Sequence, residues 1–229
     1  MFLILTNDDG IDAPGIQALQ QAVQSFQEPR AIVAPHAQIS GCGHQTTTKG
    51  PLVVEQRADQ AYAVEGTPAD CTRLALHALY PQQVAWVLSG VNAGGNLGVD
   101  AYTSGTVAAV REAAMHGIPA IALSHVIARP EPIDWDRTAR WTRAVIEKLW
   151  PMRLPPASFW NVNLPHREPE ALEPPIVFCE ASNQPLPVKY RREGDGYVYS
   201  GTYAERLRAP GTDVDICFQG SIAVTQLRV

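Results

Sequence analysis

The amino-acid sequence predicts an α/β protein with a Rossmann-like, doubly wound and mostly parallel sheet, followed by a smaller β-rich appendage. Two observations support this fold class. Short apolar runs alternate along the chain with segments whose apolar residues recur every three or four positions, as strands and helices do. A chain of 229 residues is also long enough for one large domain with a sizeable core. Alternating strands and helices favour a parallel sheet, because each helix returns the chain across the sheet.

The N-terminal part predicts a strand, a helix and a second strand. Residues 2–5 form the first apolar run, and apolar residues at helical spacing cover residues 14–26, with Pro14 suited to the helix start. The second strand is expected at residues 31–34. The polar stretch that follows, residues 35–50, is expected to be an ordered functional loop or hairpin.

The middle of the chain continues the alternation. Thr67, Pro68 and Asp70 open a predicted helix as N-cap, first helical residue and capping carboxylate. The predicted elements of this part are strands at 52–56 and 61–66, a helix at 67–80, a strand at 85–90, a Gly/Asn-rich loop at 91–102, a helix at 104–117 and a strand at 119–124.

The C-terminal third contains many prolines and predicts fewer regular elements. One helix is expected from Trp135 to Trp150, a hairpin over residues 188–201 with its turn at Asp195-Gly196, and a last strand at residues 221–227. We therefore expect residues 1–128 to form a Rossmann-like core that binds metal and phosphate. Residues 129–229 are expected to complete that core and to add a hairpin and oligomerisation appendage.

Composition excludes several classes of partner. The net charge is −5 and no Lys/Arg run occurs, so duplex nucleic acid is not an expected partner. The four cysteines are scattered without a CxxC pair, and the N-terminal run lacks the basic start of a signal peptide. No segment approaches the roughly 20 apolar residues that cross a bilayer. The expectation is a soluble, reduced, cytoplasmic protein without membrane contact.

Polar residues follow three of the predicted strands. In an open α/β sheet the ligand crevice lies beyond the carboxyl ends of the parallel strands, so the loops after residues 2–5, 31–34 and 85–90 should meet there. These loops contain carboxylates, amides and hydroxyls: Asp8, Asp9, Ser40, Asn92, Asn96, Ser104 and Thr106.

The adjacent carboxylates of Asp8 and Asp9 indicate a metal site. Two such groups repel each other unless a cation neutralises them. An all-oxygen set of carboxylates, amide and hydroxyl suits one hard divalent ion such as Mg²⁺ or Mn²⁺. The alternative is that the two aspartates cap the next helix or make an Asx turn before Gly10. Their position at a strand end favours the metal.

The start of the helix at residues 104–117 indicates a phosphate site. Free backbone N–H groups and the helix dipole attract anions there, and Ser104 and Thr106 add hydroxyl donors. The alternative is that either residue is an ordinary N-cap. A divalent cation beside a phosphate site is typical of enzymes that transfer a phosphoryl group to water with the help of a metal ion.

Two other features of the sequence have weaker functional interpretations. Residues 93–98 loosely match a dinucleotide fingerprint, but the loop continues before the next helix begins, so a nicotinamide site is not expected. His36 and His44 lie in the loop that contains Ser40. They could protonate a leaving group, or could be solvated or contact the substrate.

With these motifs assembled, the sequence resembles the SurE family, the stationary-phase survival proteins that act as 5′/3′-nucleotidases. The resemblance is carried by residues 4–16 ("ILTNDDGIDAPGI"), 66–76 ("GTPADCTRLAL"), 89–124 (beginning "SGVNAGGNLGVDAYTSGT") and 211–227 ("GTDVDICFQGSIAVTQL"). Ahead of Ser40 the chain has "HAQI" where family members often carry an Asp-Arg-Asn-Arg-like run.

The resemblance implies roles for individual residues. The positions that match the ligands of one divalent ion are Asp8, Asp9, Ser40 and Asn92. The positions that match phosphate contacts are Asn96, Ser104, Gly105 and Thr106. The family also implies a homodimer or homotetramer with C-terminal elements exchanged or extended between subunits.

The expected activity is that of a metal-dependent phosphomonoesterase. It would hydrolyse nucleoside 5′-monophosphates, with 3′-monophosphates as further candidates, through attack by a metal-activated water, with Asp8 and Asp9 as catalytic residues. One alternative is a haloacid-dehalogenase-like phosphatase with an aspartyl-phosphate, although the Asp-x-Asp spacing of that class is absent. The other is a nucleotide-binding module without turnover.

Overall fold

A nine-stranded sheet organises the computed structural model, which describes residues 1–127, 132–168 and 171–229. The strands are β1 (Phe2–Thr6), β2 (Arg30–Pro35), β3 (Val54–Ala58), β4 (Ala61–Val64), β5 (Val84–Ala93), β6 (Ala120–His125), β7 (Ser158–Leu164), β8 (Ile176–Phe178), β9 (Tyr190–Glu193), β10 (Gly196–Tyr199) and β11 (Ile222–Arg228). The helices are α1 (Pro14–Ala22), α2 (Pro68–Leu74), α3 (Gly105–Met115), α4 (Trp135–Leu149) and α5 (Asp213–Phe218).

The strand order of the main sheet is β3-β4-β2-β1-β5-β6-β7-β11-β8. The six strands from β4 to β7 are mutually parallel, whereas β3 and β11 pair antiparallel to their inner neighbours. Strands β9 and β10 form a separate antiparallel hairpin. The predicted Rossmann-like fold class with a C-terminal β-rich appendage is therefore confirmed.

Helices cover both faces of the sheet. On β1, Leu5 packs with Leu19 of α1 and Val145 of α4, whereas the next side chain back, Ile4, packs on the opposite face with Val110 of α3. Successive side chains of a strand point to opposite faces, so both faces of β1 must be apolar. This burial explains why the first strand is a continuous apolar run.

The predicted capping box at the start of α2 is present, but α1 and α2 are both shorter than predicted. Thr67 Oγ1 accepts from Asp70 N at 3.2 Å and Asp70 Oδ2 accepts from Thr67 N at 3.0 Å, which is the predicted capping box. Helix α2 then passes into a π-helical turn over Ala75–Leu79. Helix α1 ends at Ala22, and Arg30 bonds the carbonyl groups of the turn that follows.

Other boundaries differ from the predictions for identifiable reasons. Strand β5 runs three residues past its predicted end, and β7 and α5 were not predicted. The predicted Asp195-Gly196 turn is wrong by one position, because Gly196 pairs with Glu193 and the turn is Gly194-Asp195. Gly194 has a φ of +60°, a conformation that glycine adopts without strain.

The C-terminal part contributes strands to the main sheet. Strands β7, β11 and β8 extend it beyond β6, whereas the hairpin β9–β10 stands apart. The predicted domain boundary between residues 128 and 129 lies outside the described residues, so that division stays a prediction. Within the described ranges, no helix combines the length and apolarity needed to cross a membrane.

Candidate metal and phosphate site

Three loops meet at the carboxyl ends of the parallel strands, where β1 lies between β2 and β5. The backbone N–H of Ile39 donates to the carbonyl of Asp8 at 2.8 Å, which joins the loop after β2 to the loop after β1. The backbone N–H of Ala93 donates to Asp9 Oδ2 at 3.2 Å, which joins the end of β5 to the same place. We call Asp8, Asp9, Ser40 and Asn92, together with the start of α3, the strand-end site.

The turn after β1 is made by Asn7, not by the two aspartates. Asn7 Nδ2 donates to the carbonyl of Gly10 at 2.7 Å, and Asn7 Oδ1 accepts from Gly10 N at 3.2 Å. The N-cap of α1 is Ala13, without a side-chain cap. Neither aspartate side chain therefore serves the turn or the helix cap, and both remain for another purpose.

Asp8 is buried against the first turn of α3. Its side chain is 5% exposed, and Oδ1 accepts a hydrogen bond from the Thr106 hydroxyl at 2.5 Å. Gly105 makes this approach possible, because a Cβ there would lie 2.9 Å from Asp8 Cβ. The helix start therefore packs directly on the carboxylate.

The charge of this carboxylate is not balanced by a basic side chain. Burial raises the pKa of Asp8 to about 6, the Thr106 hydroxyl opposes that rise, and the neighbouring Asp9 charge adds to it. Within the described residues, no ion pair involves Asp8 or Asp9. Two adjacent carboxylates without a counter-charge fit a divalent cation.

The other two predicted ligands complete an oxygen-rich set. Gln38 Nε2 donates to Asp9 Oδ1 at 3.2 Å and to Ser40 Oγ at 3.0 Å, so Asp9 and Ser40 share one neighbour. Asn92 Nδ2 donates to the carbonyl of Gly94 at 2.8 Å, which leaves the amide oxygen for a ligand. Oxygen donors of these three kinds suit Mg²⁺ or Mn²⁺.

The predicted metal site depends on those neutral oxygen atoms as well as on the two aspartates. No group of three or more His, Cys, Asp or Glu side chains suited to a metal occurs among the described residues. Zinc sites typically use thiolate and imidazole ligands, which the strand-end site does not offer. The assignment of Asp8, Asp9, Ser40 and Asn92 as ligands stays a prediction.

The hydroxyl groups at the start of α3 are already engaged. Ser104 Oγ accepts from Val107 N at 3.1 Å, so Ser104 is the N-cap that the alternative interpretation named. The Thr106 hydroxyl donates to Asp8 rather than into the crevice, and Thr106 is fully buried. Phosphate binding at Ser104, Gly105 and Thr106 stays a prediction. It would depend on backbone N–H groups, on the helix dipole and on the Ser104 hydroxyl, which accepts from Val107 N and can still donate its own proton.

Asn96, the fourth predicted phosphate contact, lies on the loop between β5 and α3. It is 7% exposed, and its Nδ2 donates to Ser124 Oγ on β6 at 2.8 Å.

A cleft of about 290 Å³ lies beside Asp9, Gln38 and Trp135. A larger cavity of about 460 Å³ lies around Trp86, the third residue of β5, and hence towards the amino ends of the parallel strands, away from the strand-end site. Cavity size alone does not identify the site.

Comparison with known proteins decides the family. The family model described as "Survival protein SurE" matches residues 3–185. The chain belongs to the SurE family. A protein of Nostoc sp. (strain PCC 7120), whose name describes it provisionally as a 5′-nucleotidase, is 56% identical over 229 residues, 100% of each chain.

A less similar relative and a solved structure support the same family membership. The "5′-nucleotidase SurE" of Paramagnetospirillum magneticum is 36% identical over 234 residues, covering 98% of this chain and 88% of that protein. The crystal structure of the SurE protein from Aquifex aeolicus superposes with a TM-score of 0.88 at 30% identity, over 100% of this chain and 93% of that one. The predicted membership of the SurE family is confirmed.

The two loop histidines of this SurE protein have different surroundings. His36 is exposed, whereas His44 Nε2 lies 2.7 Å from Glu112 Oε2 on α3. Glu112 is 1% exposed and also binds Arg73 and His116. Burial would raise the pKa of Glu112, but its hydrogen bonds from Arg73, His44 and His116 outweigh that and lower the pKa. His44 therefore belongs to an ion-pair cluster between α2 and α3.

Sequence reasoning missed several residues that shape the strand-end site of this SurE protein. Asn7 makes the turn, and Gln38 joins two predicted ligands. Asn161 and Asn163 of β7 bind the backbone of Asn96. A signal for the last pair is present in "SFWNVNL", where two asparagines two positions apart point to one face of an otherwise apolar strand.

Proposed function

We propose that this SurE-family protein is a 5′-nucleotidase, a phosphomonoesterase that hydrolyses nucleoside 5′-monophosphates to nucleoside and phosphate. One observation carries the proposal: a buried carboxylate, Asp8, lies beside a second carboxylate and against a helix N-terminus without a counter-charge. A site of this kind attracts a divalent cation through the carboxylates and a phosphoryl group through the helix start. The names of the SurE relatives support the same activity.

The strand-end site fits one divalent ion, Mg²⁺ or Mn²⁺. Asp8, Asp9, Ser40 and Asn92 would hold it, because each offers an oxygen atom and the set carries two negative charges. When bound, such an ion neutralises the carboxylates, polarises the phosphoryl group and activates water.

The side chains around the ion have separate tasks. The Thr106 hydroxyl and the close approach of Gly105 hold Asp8 in one orientation. The backbone N–H groups at the start of α3 would receive the phosphoryl oxygens, assisted by Asn96. Asp9 is half-buried and accepts hydrogen bonds from Gln38 and from Ala93 N, so it is held at the cleft. Asp8 and Asp9 are thus the proposed catalytic residues.

A phosphate-release assay tests the activity. Purified protein is treated with a chelator and then supplied with Mg²⁺ or Mn²⁺, with nucleoside 5′-monophosphates and 3′-monophosphates as parallel substrates. We expect metal-dependent release of phosphate from the 5′ esters, and the 3′ esters show whether that activity extends to them. Binding of nucleotide without phosphate release under every metal condition would favour the binding-module alternative.

The stereochemical course at phosphorus separates the two hydrolytic routes. With a substrate whose phosphoryl group is chiral at phosphorus, a single in-line attack by water should invert the configuration, because no covalent enzyme intermediate forms. An aspartyl-phosphate at Asp8 or Asp9 requires two in-line displacements and would give net retention.

We also propose a homo-oligomer that uses the hairpin β9–β10. All eight residues of its two strands are exposed, including Tyr190 at 63% and Tyr197 at 73%. Exposed aromatic side chains at this density are typical of contact surfaces. Sedimentation velocity of the full chain, compared with a Tyr190→Ser/Tyr197→Ser variant, tests this proposal: the wild type should be a dimer or tetramer and the variant smaller.

A further inference from the structure

The backbone of Asn96 is held by one side chain from the far part of the chain. Asn96 N donates to Asn163 Oδ1 at 2.8 Å, and Asn163 Nδ2 donates to the carbonyl of Asn96 at 3.1 Å. A carboxamide that makes both bonds to a single residue fixes its orientation as well as its position, much as a neighbouring strand would. Asn163 is fully buried in β7.

A second carboxamide and a hydroxyl complete the attachment. Asn161 Nδ2 donates to the same Asn96 carbonyl at 2.9 Å. Ser124 Oγ accepts from Asn96 Nδ2 at 2.8 Å. Because a serine hydroxyl both donates and accepts, Ser124 can hold either atom of the Asn96 amide, so the amide can turn and present N–H to an anion.

Two glycines, Gly94 and Gly95, precede Asn96. Gly94 is held by Asn92, whose Nδ2 donates to the Gly94 carbonyl, and by a bridge to His125. Gly95 separates that point from Asn96, and glycine allows many backbone conformations, so the carboxamide bonds fix Asn96 beyond what the contacts of Gly94 fix.

Two buried carboxamides on an interior strand of a sheet are costly as purely structural residues. Asn161 and Asn163 are both fully buried on one face of β7, and Asn161 Oδ1 has no hydrogen-bond partner among the described residues. An unsatisfied buried polar atom costs about 1–3 kcal/mol, whereas an apolar side chain of similar size would cost nothing of this kind. This unfavourable free energy of burial is explained if the carboxamides set the position of Asn96.

We propose that Asn163 is a positioning residue for the phosphoryl group of the substrate, acting through the backbone of Asn96. The inference rests on the proposed nucleotidase function and on the role of Asn96 as a phosphate contact. The C-terminal third of the chain thereby supplies part of the phosphate site, across 67 positions of sequence separation.

Three variants of the full-length protein, assayed with the activating metal, test the inference. Asn163→Leu removes both bonds to Asn96 and keeps a side chain of similar size. Asn163→Asp keeps the size and replaces the Nδ2 donor by an oxygen atom. Thr225→Val is the matched control, because the buried Thr225 hydroxyl on β11 donates to the Asn161 carbonyl at 3.2 Å and makes no contact with Asn96.

We expect the effect in binding rather than in turnover. In Asn163→Leu, the KM for nucleoside monophosphate and the inhibition constant of inorganic phosphate should both rise by roughly 10-fold to 100-fold, the usual cost of losing a positioning contact. The kcat should change by less than about threefold, because the lost contact serves ground state and transition state alike. Half-activation by Mn²⁺ should occur at an unchanged concentration, since Asn96 is not among the proposed ligands.

Asn163→Asp adds a readout that a merely structural role would not move. When protonated, the introduced carboxyl group can accept from Asn96 N and donate to the Asn96 carbonyl, as the carboxamide does. When ionised, it has no donor and repels that carbonyl. The ratio of the variant's KM to the wild-type KM should therefore fall towards one as the pH is lowered. Asn163→Leu should show no such recovery.

The surrounding titratable groups do not produce the same profile. On β6, burial lowers the pKa of His125 to about 4, and on α5, burial raises the pKa values of Cys217 and Asp213. These groups are present in both proteins, so the ratio of the two KM values cancels their titration.

The outcomes separate this inference from the proposed function. Wild type without phosphatase activity would overturn the proposed function. Active wild type, with Asn163→Leu showing unchanged KM and phosphate inhibition in a folded protein, would overturn the positioning role alone. Thr225→Val should lower the melting temperature and leave both constants unchanged. If Thr225→Val raises them as much as Asn163→Leu does, the effect reflects general loosening of β7, and the positioning role is rejected.

Discussion

Asp8 packs against the start of α3 and Glu112 belongs to that helix; both carboxylates are buried, yet their surroundings differ completely. Asp8 is 5% exposed and lies beside Asp9, without a basic partner among the described residues. Glu112 is 1% exposed and binds Arg73, His44 and His116. Burial raises the pKa of Asp8 to about 6, whereas the hydrogen bonds and charges around Glu112 lower its pKa despite burial.

The difference distinguishes a site that the chain completes from one that it leaves to a ligand. A buried charge is tolerated when a partner compensates it, and the α2–α3 cluster provides that partner for Glu112. Among the described residues, no positive side chain pairs with Asp8, which supports the proposal that a bound cation compensates its charge. We expect substitutions at Glu112 to change stability and substitutions at the aspartates to change activity.

The largest expected effect is on activity, in Asp9→Asn. The change removes one negative charge and one proposed ligand oxygen while keeping the size of the side chain. A metal contributes several kcal/mol to the transition state, so we expect kcat/KM to fall by about 10³-fold or more. Phosphate release and Mn²⁺ titration calorimetry measure the two consequences.

Asp12→Asn is the matched control for Asp9→Asn. Asp12 is exposed and lies three residues further along the same loop, so its loss changes net charge equally. Its activity should stay within about twofold of wild type, as for most surface substitutions. Unchanged Mn²⁺ affinity in Asp9→Asn would remove Asp9 from the proposed ligand set.

The next effects are on stability, and they have opposite signs at the two carboxylates. Asp8 has a folded pKa of about 6 against an ordinary value of 3.8, so its ionisation opposes folding, and the cost grows between about pH 4 and pH 6 and is complete above that. Asp8→Asn should therefore stabilise the metal-free protein at pH 7 by roughly 1–3 kcal/mol. Mn²⁺ should raise the melting temperature of wild type and not that of the variant.

Glu112→Gln should instead destabilise the protein by about 1–3 kcal/mol, because Arg73 loses its carboxylate. The lowered pKa of Glu112 means that its contribution is present above about pH 4.5 and is lost as the pH falls through the folded value. Glu147→Gln, an exposed α4 residue paired with Arg143, is the control and should cost at most about 0.5 kcal/mol. Denaturant unfolding at pH 7 without metal measures all three variants, and equal signs at Asp8 and Glu112 would contradict the comparison.

Much of the fold, and the position of Asp8 and Asp9 at a strand end, could be predicted from local sequence. Alternating apolar patterns and the Thr67–Asp70 capping box identified most strands and helices, because these signals act over a few residues. Strand β7 was missed because Pro155 and Pro156 before it and Pro165 after it suggested a broken segment. Those prolines bound the strand and do not interrupt it.

The contacts that orient the site could not be predicted in the same way. Thr106 was expected to donate to phosphate, but its hydroxyl meets Asp8, 98 positions earlier in the chain. Asn163 meets Asn96 across 67 positions. Pairings at such separation depend on the strand order, which no local pattern encodes. Asp8 and Asp9 were identifiable because they are adjacent in sequence.

A smaller effect on activity is expected from Thr106→Val, which keeps the branched shape and deletes the donor to Asp8. One hydrogen bond to a charged group is worth about 1.5–3 kcal/mol, so kcat/KM should fall by roughly 10-fold to 150-fold. The Mn²⁺ concentration for half-activation should rise, since the hydroxyl orients a proposed ligand. Thr106→Ser keeps the donor and should retain most activity. A loss of phosphate inhibition with unchanged Mn²⁺ dependence would instead place the hydroxyl on the substrate.

The smallest expected effect is that of His44→Gln, and it decides the role that the sequence left open. A histidine that protonates a leaving group contributes about 10²-fold to 10⁴-fold to the rate, so its loss would be conspicuous. In this structure His44 Nε2 faces Glu112, and Arg111 Nη1 lies 3.4 Å from its other ring nitrogen, which leaves no ring nitrogen for the crevice. We therefore expect kcat within about twofold of wild type. Glu112 keeps Arg73 and His116 as partners, so the stability loss should be below about 1 kcal/mol.

His36→Gln serves as the parallel variant, because His36 is exposed in the same loop. A 100-fold loss of kcat in His44→Gln, with activity retained in His36→Gln, would show that the loop moves His44 to the substrate during turnover.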